Sequence, residues 1–400
     1  MIKTSFLHIP ILSFFVGIVL LTSCKKSEEI ALGNSGLIAL SSHSGSERVS
    51  IQSTSDGGFL VVSHTRRNQD QDISIMQFNE DLVLQWERLI GGKFDDKMEH
   101  VFIDRDQNIF IAGFAFGFGQ DTLRPRLSRD WLPYFHLLSA SGTTLWETTT
   151  LFQNYNKSNQ NFTDVAQDPN GNYLVSGKIS VLAQDTNGNF FGANRFPTIV
   201  KIEADGTKPR LFIRSFQSAE ANIEAIVQVA SKTYAFGHGL VSNSQAEYYT
   251  IDPGNVGGMD RCKTIDTLNW RSDAQLSNPL IATLIKQESD LLHSFVINRN
   301  LLVRYTLQIS TKKMAVEIMP MPFRDVTWAG QDANAFMFAT ESGWIYETDS
   351  ELKLTNSFHS NYPIKQICKR KDGGYNAVIY QGDVFFLARL NEKGQVVDHE

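Results

Sequence analysis

Three long segments gather the residues best suited to gripping a ligand. "FAFGFGQDTLRPRLSRDWLP" (114–133) carries Arg124, Arg126, Arg129 and Trp131. "KISVLAQDTNGNFFGANRF" (178–196) carries Phe190, Phe191 and Arg195, and "DTLNWRSDAQLSNP" (266–279) carries Trp270 and Arg271. Guanidinium groups present planar arrays of donors, and aromatic rings present large rigid area. That chemistry suits contact with a protein, peptide or glycan. The plainer reading is that such segments cap the fold and pack on themselves. Structureless segments longer than about 15 residues usually have a function or act as linkers.

Groups that could break bonds are sparse. Asp95 and Asp96 form a carboxylate pair. Acid/base pairs flank a substrate at a defined separation, whereas neighbours in extended chain diverge, so these two read as turn residues. His64 and His238 both close an apolar run, but no third ligand lines up with them for a metal. "FGFG" (116–119) lacks the helix and Lys of a phosphate cradle. "DPNGN" (168–172) reads as a hairpin turn, and "DTNGN" (185–189) lacks the further oxygen ligands and closing Glu of a calcium loop. No G-x-S-x-G nucleophile turn occurs. The expectation is no catalytic residue, no metal and no cofactor.

The elements that must position these segments are strands. Among 400 residues, 42 % are hydrophobic and 20 % charged, which suits a folded chain. The net charge of −6, without a basic run, excludes a nucleic-acid face. With 28 Gly, 27 Phe and 11 Pro, the composition favours short strands and tight turns. "RVSIQST" (48–54) alternates, "SDGG" supplies the Asp-Gly of a two-residue hairpin, and "FLVVS" returns. "DISIMQF" (72–78) and "VLQWERL" (83–89) complete four strands.

The unit recurs. First-hairpin turns fall near 56, 106, 170, 231, 289, 332 and 372, and Trp86-Glu87 and Trp146-Glu147 occupy the same place in the fourth strand. Four-stranded units at roughly 40–65-residue spacing predict an all-β fold, a β-propeller. The count is seven four-stranded blades, with six or eight open because the fourth and fifth units are degenerate. "GLIALSS" (36–42) is a candidate closing strand beside "QVV" near the C-terminus. All three long segments then fall on the face that bears the second-to-third-strand loops and the blade-to-blade loops.

The first 24 residues have the parts of an export signal: Lys3, an apolar stretch from Phe6 to Leu21, then "LTSC". "LTSC" resembles the lipobox of bacterial lipoproteins. The resemblance implies cleavage before Cys24 and diacylation of its thiol, and two chains anchor stably where one does not. Residues 1–23 are thus read as signal peptide, 24–35 as lipidated tether and 36–400 as the propeller domain. Lys25 resembles the outer-membrane-sorted type, and Glu28-Glu29 the export tag of Bacteroidetes-type surface lipoproteins. Cys262 and Cys368 have no spacing signature; an exported protein could pair them, and a buried thiol is the commoner outcome.

"TSDGGFLVVSHT…DISIMQFNEDLVLQWERLIGGKFDD" also resembles a repeat common in secreted Bacteroidetes-type proteins, through Asp56, Gly57, Gly58, Trp86, Gly91, Gly92, Asp95 and Asp96. It implies a propeller in the cell envelope and no defined activity. The resulting expectation is a lipid-anchored, non-catalytic binding or scaffold subunit at the outer membrane, on its periplasmic or surface side, with an envelope protein or glycan partner. The alternative is a propeller enzyme acting on glycans or a cofactor-dependent dehydrogenase. That would need acidic or His side chains converging on the channel.

Overall fold

The computed structural model describes residues 37–42, 49–67, 70–91, 95–116, 131–149, 156–184, 190–213, 220–230, 232–240, 245–251, 259–262, 282–298, 301–311, 313–320, 323, 325–332, 335–381 and 384–397. Those residues form strands and no helix. Strand β1 (Leu37–Ser42) comes first. A meander follows: β2 (Ser50–Ser53), β3 (Phe59–Arg67), β4 (Asp70–Phe78) and β5 (Leu84–Ile90). The second meander is β6 (Asp96–Ile103), β7 (Ile109–Phe116), β8 (Trp131–Leu138) and β9 (Thr144–Thr149). The third is β10 (Asn156–Gln167), β11 (Tyr173–Gln184), β12 (Phe190–Ile202) and β13 (Arg210–Ile213). The fourth is β14 (Glu220–Val229), β15 (Lys232–Leu240), β16 (Gln245–Ile251) and β17 (Met259–Cys262). The fifth is β18 (Ala282–Glu288), β19 (Leu291–Asn298), β20 (Leu301–Gln308) and β21 (Lys313–Pro320). The sixth is β22 (Val326–Asp332), β23 (Ala335–Thr340), β24 (Trp344–Thr348) and β25 (Leu354–His359). Strands β26 (Ile364–Lys369), β27 (Tyr375–Gln381) and β28 (Val384–Leu390) end the chain.

Hydrogen bonding groups these strands into six sheets, five of four strands and one of eight. The eight-stranded sheet is the third and fourth meanders, linked only where Arg195 pairs in parallel with Glu220. Divided there, the described strands make seven four-stranded blades. First strands of successive blades pack side by side, and β2 packs on β26, so the ring closes. Seven hydrophobic clusters form, one at each junction between blades.

The second strand of a blade is covered on both faces, which is why it reads as an unbroken apolar run. In β3, Phe59 and Val61 pack toward the seventh blade, while Leu60 and Val62 pack toward the second. All four are at most 1 % exposed.

The turns differ from the two-residue expectation. Nine of them, beginning at Thr54, Asn79, Asp104, Ser139, Asp168, Glu203, Asp349, Arg370 and Asn391, have three loop residues closed by the same two backbone bonds. This is a type I turn followed by a left-handed residue. At Asn79, Asp104, Asp168, Asp349 and Asn391 the side-chain oxygen accepts the amides two and four residues on, which stabilises the longer loop.

Closure uses the expected strand with a different partner. β1 pairs with β28, Leu37 opposite Ala388 and Ile38 opposite Leu387. Val396 of the "QVV" segment pairs with Leu390. The two segments therefore lie end to end along one edge of β28 rather than beside each other. Cys262 sits on the outermost strand of the fourth blade and Cys368 on the first strand of the seventh. Two blades separate them, which is incompatible with the Cα spacing of a disulfide.

Candidate functional site

An antiparallel meander places alternate connections on opposite faces of the ring. On one face lie the first-to-second and third-to-fourth turns, mostly three residues long. The other carries the second-to-third and blade-to-blade connections, where the sequence reading put its three candidate segments. The second of these is built differently from the expected loop. β11 and β12 stay paired from Lys178–Pro197 to Gln184–Phe190, and β10 joins them where Asn156 meets Ser180. Phe190, Phe191 and Arg195 are therefore strand residues of a projecting hairpin.

Trp131 opens β8 opposite Phe116. Lys97 Nζ lies 4.6 Å from the centre of its ring, and the indole packs on the cluster between the second and third blades. Arg124, Arg126, Arg129, Trp270 and Arg271 lie outside the described residues, as does 185–189.

The other sequence candidates have structural duties. His64 Nε2 accepts the Met98 amide at 2.9 Å, linking the first and second blades. Asp95 accepts the Gln71 amide at 2.8 Å. Asp168 caps its own hairpin, accepting the Asn170 amide at 2.8 Å and the Asn172 amide at 2.9 Å. The side chain of His238 is outside the described set.

Inner strands are stitched by side chains. Gln366 Oε1 accepts the Ile51 amide at 2.7 Å, and Gln52 Nε2 donates to the Val101 carbonyl at 2.6 Å. His100 Nε2 lies 3.5 Å from Asp164 Oδ1, while Asp164 Oδ2 accepts the Ile226 amide at 2.8 Å. This acid–histidine pair spans three blades and is engaged in holding them. Burial pushes the Asp164 carboxyl up to about 7, against the lowering effect of the Ile226 and Val165 amides. A raised carboxyl favours the protonated fold, so its contribution to stability is lost as pH rises from about 3.8 to about 7. Wild-type protein should therefore lose more melting temperature between pH 5 and pH 8 than Asp164→Asn. Equal losses in calorimetry would refute the assignment.

A second polar network sits between the first and second blades. Arg88 Nη2 donates to Thr144 Oγ1 at 2.6 Å, and His136 bridges Thr144 at 2.9 Å and Tyr134 at 2.5 Å. Burial, with Arg88 nearby, holds His136 down at about 4, so it is neutral near pH 7.

The outer strands have a recurrent junction of their own. Trp86 lies against Gly142 in the third-to-fourth turn of the next blade, and Trp146 lies against Gly206. Trp146 Nε1 also donates to the Ala204 carbonyl at 2.9 Å, and Arg88 Nη1 to the Gly142 carbonyl at 2.6 Å. Phe358 covers Gly394 in the same way.

The junction of the fifth and sixth blades lacks the tryptophan that the first two blades place here. Thr306 pairs with Ala315 across β20 and β21, as Gln77 pairs with Trp86 and Leu137 with Trp146. With alanine in the tryptophan's place, a cleft of about 490 Å³ opens between Ala315 and Glu351 of the next blade's turn. Leu291, His293 and Arg304 line its interior, with Glu288 and Glu317 alongside. Arg304 pairs with Glu317 and lies 3.7 Å from Glu351; Lys286 pairs with Glu288. His293 Nδ1 bonds Thr306 Oγ1 at 2.9 Å. Sequence reading passed over this site. A signal was available, because His293 and Arg304 interrupt strands whose neighbours on the same face, Phe295 and Leu302, are core residues.

No family model and no curated protein matches the chain. Solved structures of similar architecture include BBS1N in complex with ARL6DN (TM-score 0.49, 10 % identity, 90 % of this chain and 98 % of that one). Another is the major Malassezia sympodialis allergen Mala s 1 (0.49, 12 %, 90 % and 97 %). A third is BamB from Moraxella catarrhalis (0.41, 10 %, 88 % and 99 %). These likenesses bear on fold alone.

Proposed function

We propose that this protein is a lipid-anchored, non-catalytic binding or scaffold subunit of the outer membrane, held through Cys24 and meeting an envelope protein or glycan with its elaborated face. The observation that carries the reading is the asymmetry of the ring. Among the described residues, one face is trimmed to short turns, while the other bears the projecting β11–β12 hairpin, and Trp131 opens β8 of the preceding blade. Such connections can vary without disturbing the blades, which is where propellers and other rigid scaffolds place recognition. The "LTSC" motif and the polar stretch after it support the anchor and the tether. The acidic pair Glu28-Glu29 favours the cell-surface side.

Two measurements test the reading. Labelled palmitate should enter the wild-type protein and not Cys24→Ala, which should leave the membrane fraction. Shortening the hairpin, with Lys178 joined to Pro197 through Asn-Gly, should keep the melting temperature and abolish partner retention from solubilised envelope and glycan binding on an array. If the shortened protein keeps every interaction, the hairpin face is not the binding face.

A further inference from the structure

The cleft between the fifth and sixth blades lies on the trimmed face, beside the β18–β19 turn and the turn that carries Glu351. It is thus separate from the hairpin face. We infer that this cleft is a binding site for an organic cation, an ammonium or guanidinium group on an apolar stem. Three observations lead there.

First, the cavity is lined by Ala315 at the outer-strand position where the first two blades have Trp86 and Trp146. Its size falls in the range of small-ligand sites. Second, its charges do not cancel. Glu288, Glu317 and Glu351 face two fixed cations, Arg304 and Lys286. His293 adds little positive charge, since burial pulls its imidazole below the ordinary value. One negative charge is left at a partly enclosed surface, where screening is weaker than in open water. Third, the wall offers the ligand more than charge. Leu291 and Ala315 provide apolar contact for a stem. The carboxylates are not arranged for a metal: no group of three or more His, Cys, Asp or Glu side chains among the described residues could hold one.

The ligand could be a free amine or the side chain of a peptide, and the test separates the two. Calorimetric titration of the full-length protein in detergent would use Nα-acetyl-arginine methylamide, its uncharged isostere Nα-acetyl-citrulline methylamide, and agmatine. The arginine diamide should bind saturably and the citrulline compound at least about tenfold more weakly. Agmatine matching the diamide identifies a free amine as the ligand class; weaker agmatine identifies a peptide side chain. Ala315→Trp refills the cleft and should abolish binding. Because Leu352 stands in the facing turn where the tryptophan junctions have Gly142 and Gly206, that variant can misfold. Glu317→Gln, half-exposed, removes charge without adding bulk and should weaken binding by at least about fivefold. Equal binding of the citrulline compound, unchanged binding in Glu317→Gln, or no saturable heat with native circular dichroism would each overturn the inference.

Discussion

A chain that begins at residue 43 is expected to lose its cooperative melting transition and to associate, whereas one that begins at residue 36 should melt like the intact protein. The difference is β1. That strand leaves the first blade's side of the sequence and completes the last blade, pairing with β28. Its Leu37, Ile38 and Leu40 are 6 %, 3 % and 2 % exposed. Ile38 and Leu40 pack between the seventh and first blades, and Leu37 between the sixth and seventh. Each such side chain stabilises the fold by about 1.5–3 kcal/mol. Together they rival the ~5–15 kcal/mol net stability of a typical domain. Their removal also leaves β28 with a bare hydrogen-bonding edge, which invites pairing with another copy. A peptide spanning 36–44 supplied in trans should restore the transition. If the shorter chain melts like the longer one as a monomer, β1 is not what holds the ring closed.

Gly206→Ala is the second large effect, a loss of about 2–5 kcal/mol. Two costs combine. Gly206 has φ +79°, where an L-residue costs about 1–2 kcal/mol. A Cβ there would also lie 2.5 Å from Trp146 Cδ2, and overpacking of this kind costs about 1–3 kcal/mol. Gly171 separates the two. It has φ +83°, but its Cβ would meet nothing nearer than Ala204 at 3.6 Å. Gly171→Ala should therefore show only the backbone cost. In a Trp146→Ala background, Gly206→Ala should shrink to the same value. Equal melting shifts for the two glycine variants in the wild-type background would rule out the indole contact as a source of stability.

The same contact explains a feature of the turns that composition does not. The left-handed position is glycine where the preceding blade offers an aromatic, at Gly142, Gly206 and Gly394. It is leucine at Leu82 and Leu352, which join the clusters of their own junctions. Leu82 and Leu352 are buried, 4 % and 8 % exposed.

Much of the architecture was readable in the linear sequence. The first-hairpin turns near 56, 106, 170 and 372 fall where Asp, Gly and Asn cluster, and the apolar runs around them became the strands. Those signals are local, since a turn's Asx side chain bonds amides two and four residues away. The closing strand was readable too, as an apolar run left over before the first unit. Its partner was not, because two C-terminal segments competed for that role and only the register of β28 assigns one edge to both. The β11–β12 extension was hidden for a similar reason. Residues 178–184 and 190–196 carry β-favouring Ile, Val and Phe, but the Gly and Asn among them and the length of the segment read as a loop, and only the pairing of one side with the other shows both as strand.

The candidate sites divide along the same line. The sequence marked Cys24 and the segments holding Arg124, Trp131, Phe190 and Trp270, because their composition breaks the repeat. It could not mark the cleft at Ala315. That site exists only relative to the Trp–Gly contacts of other junctions, whose partners lie in different blades, 54 and 58 residues apart for the hydrogen bonds that accompany them. Turn chemistry and strand period act over a few residues and survive in the linear chain. Junction packing joins blades that meet only after the ring forms, so the tertiary structure alone decided that the Trp86 and Trp146 junctions are filled and that a cleft opens at Ala315.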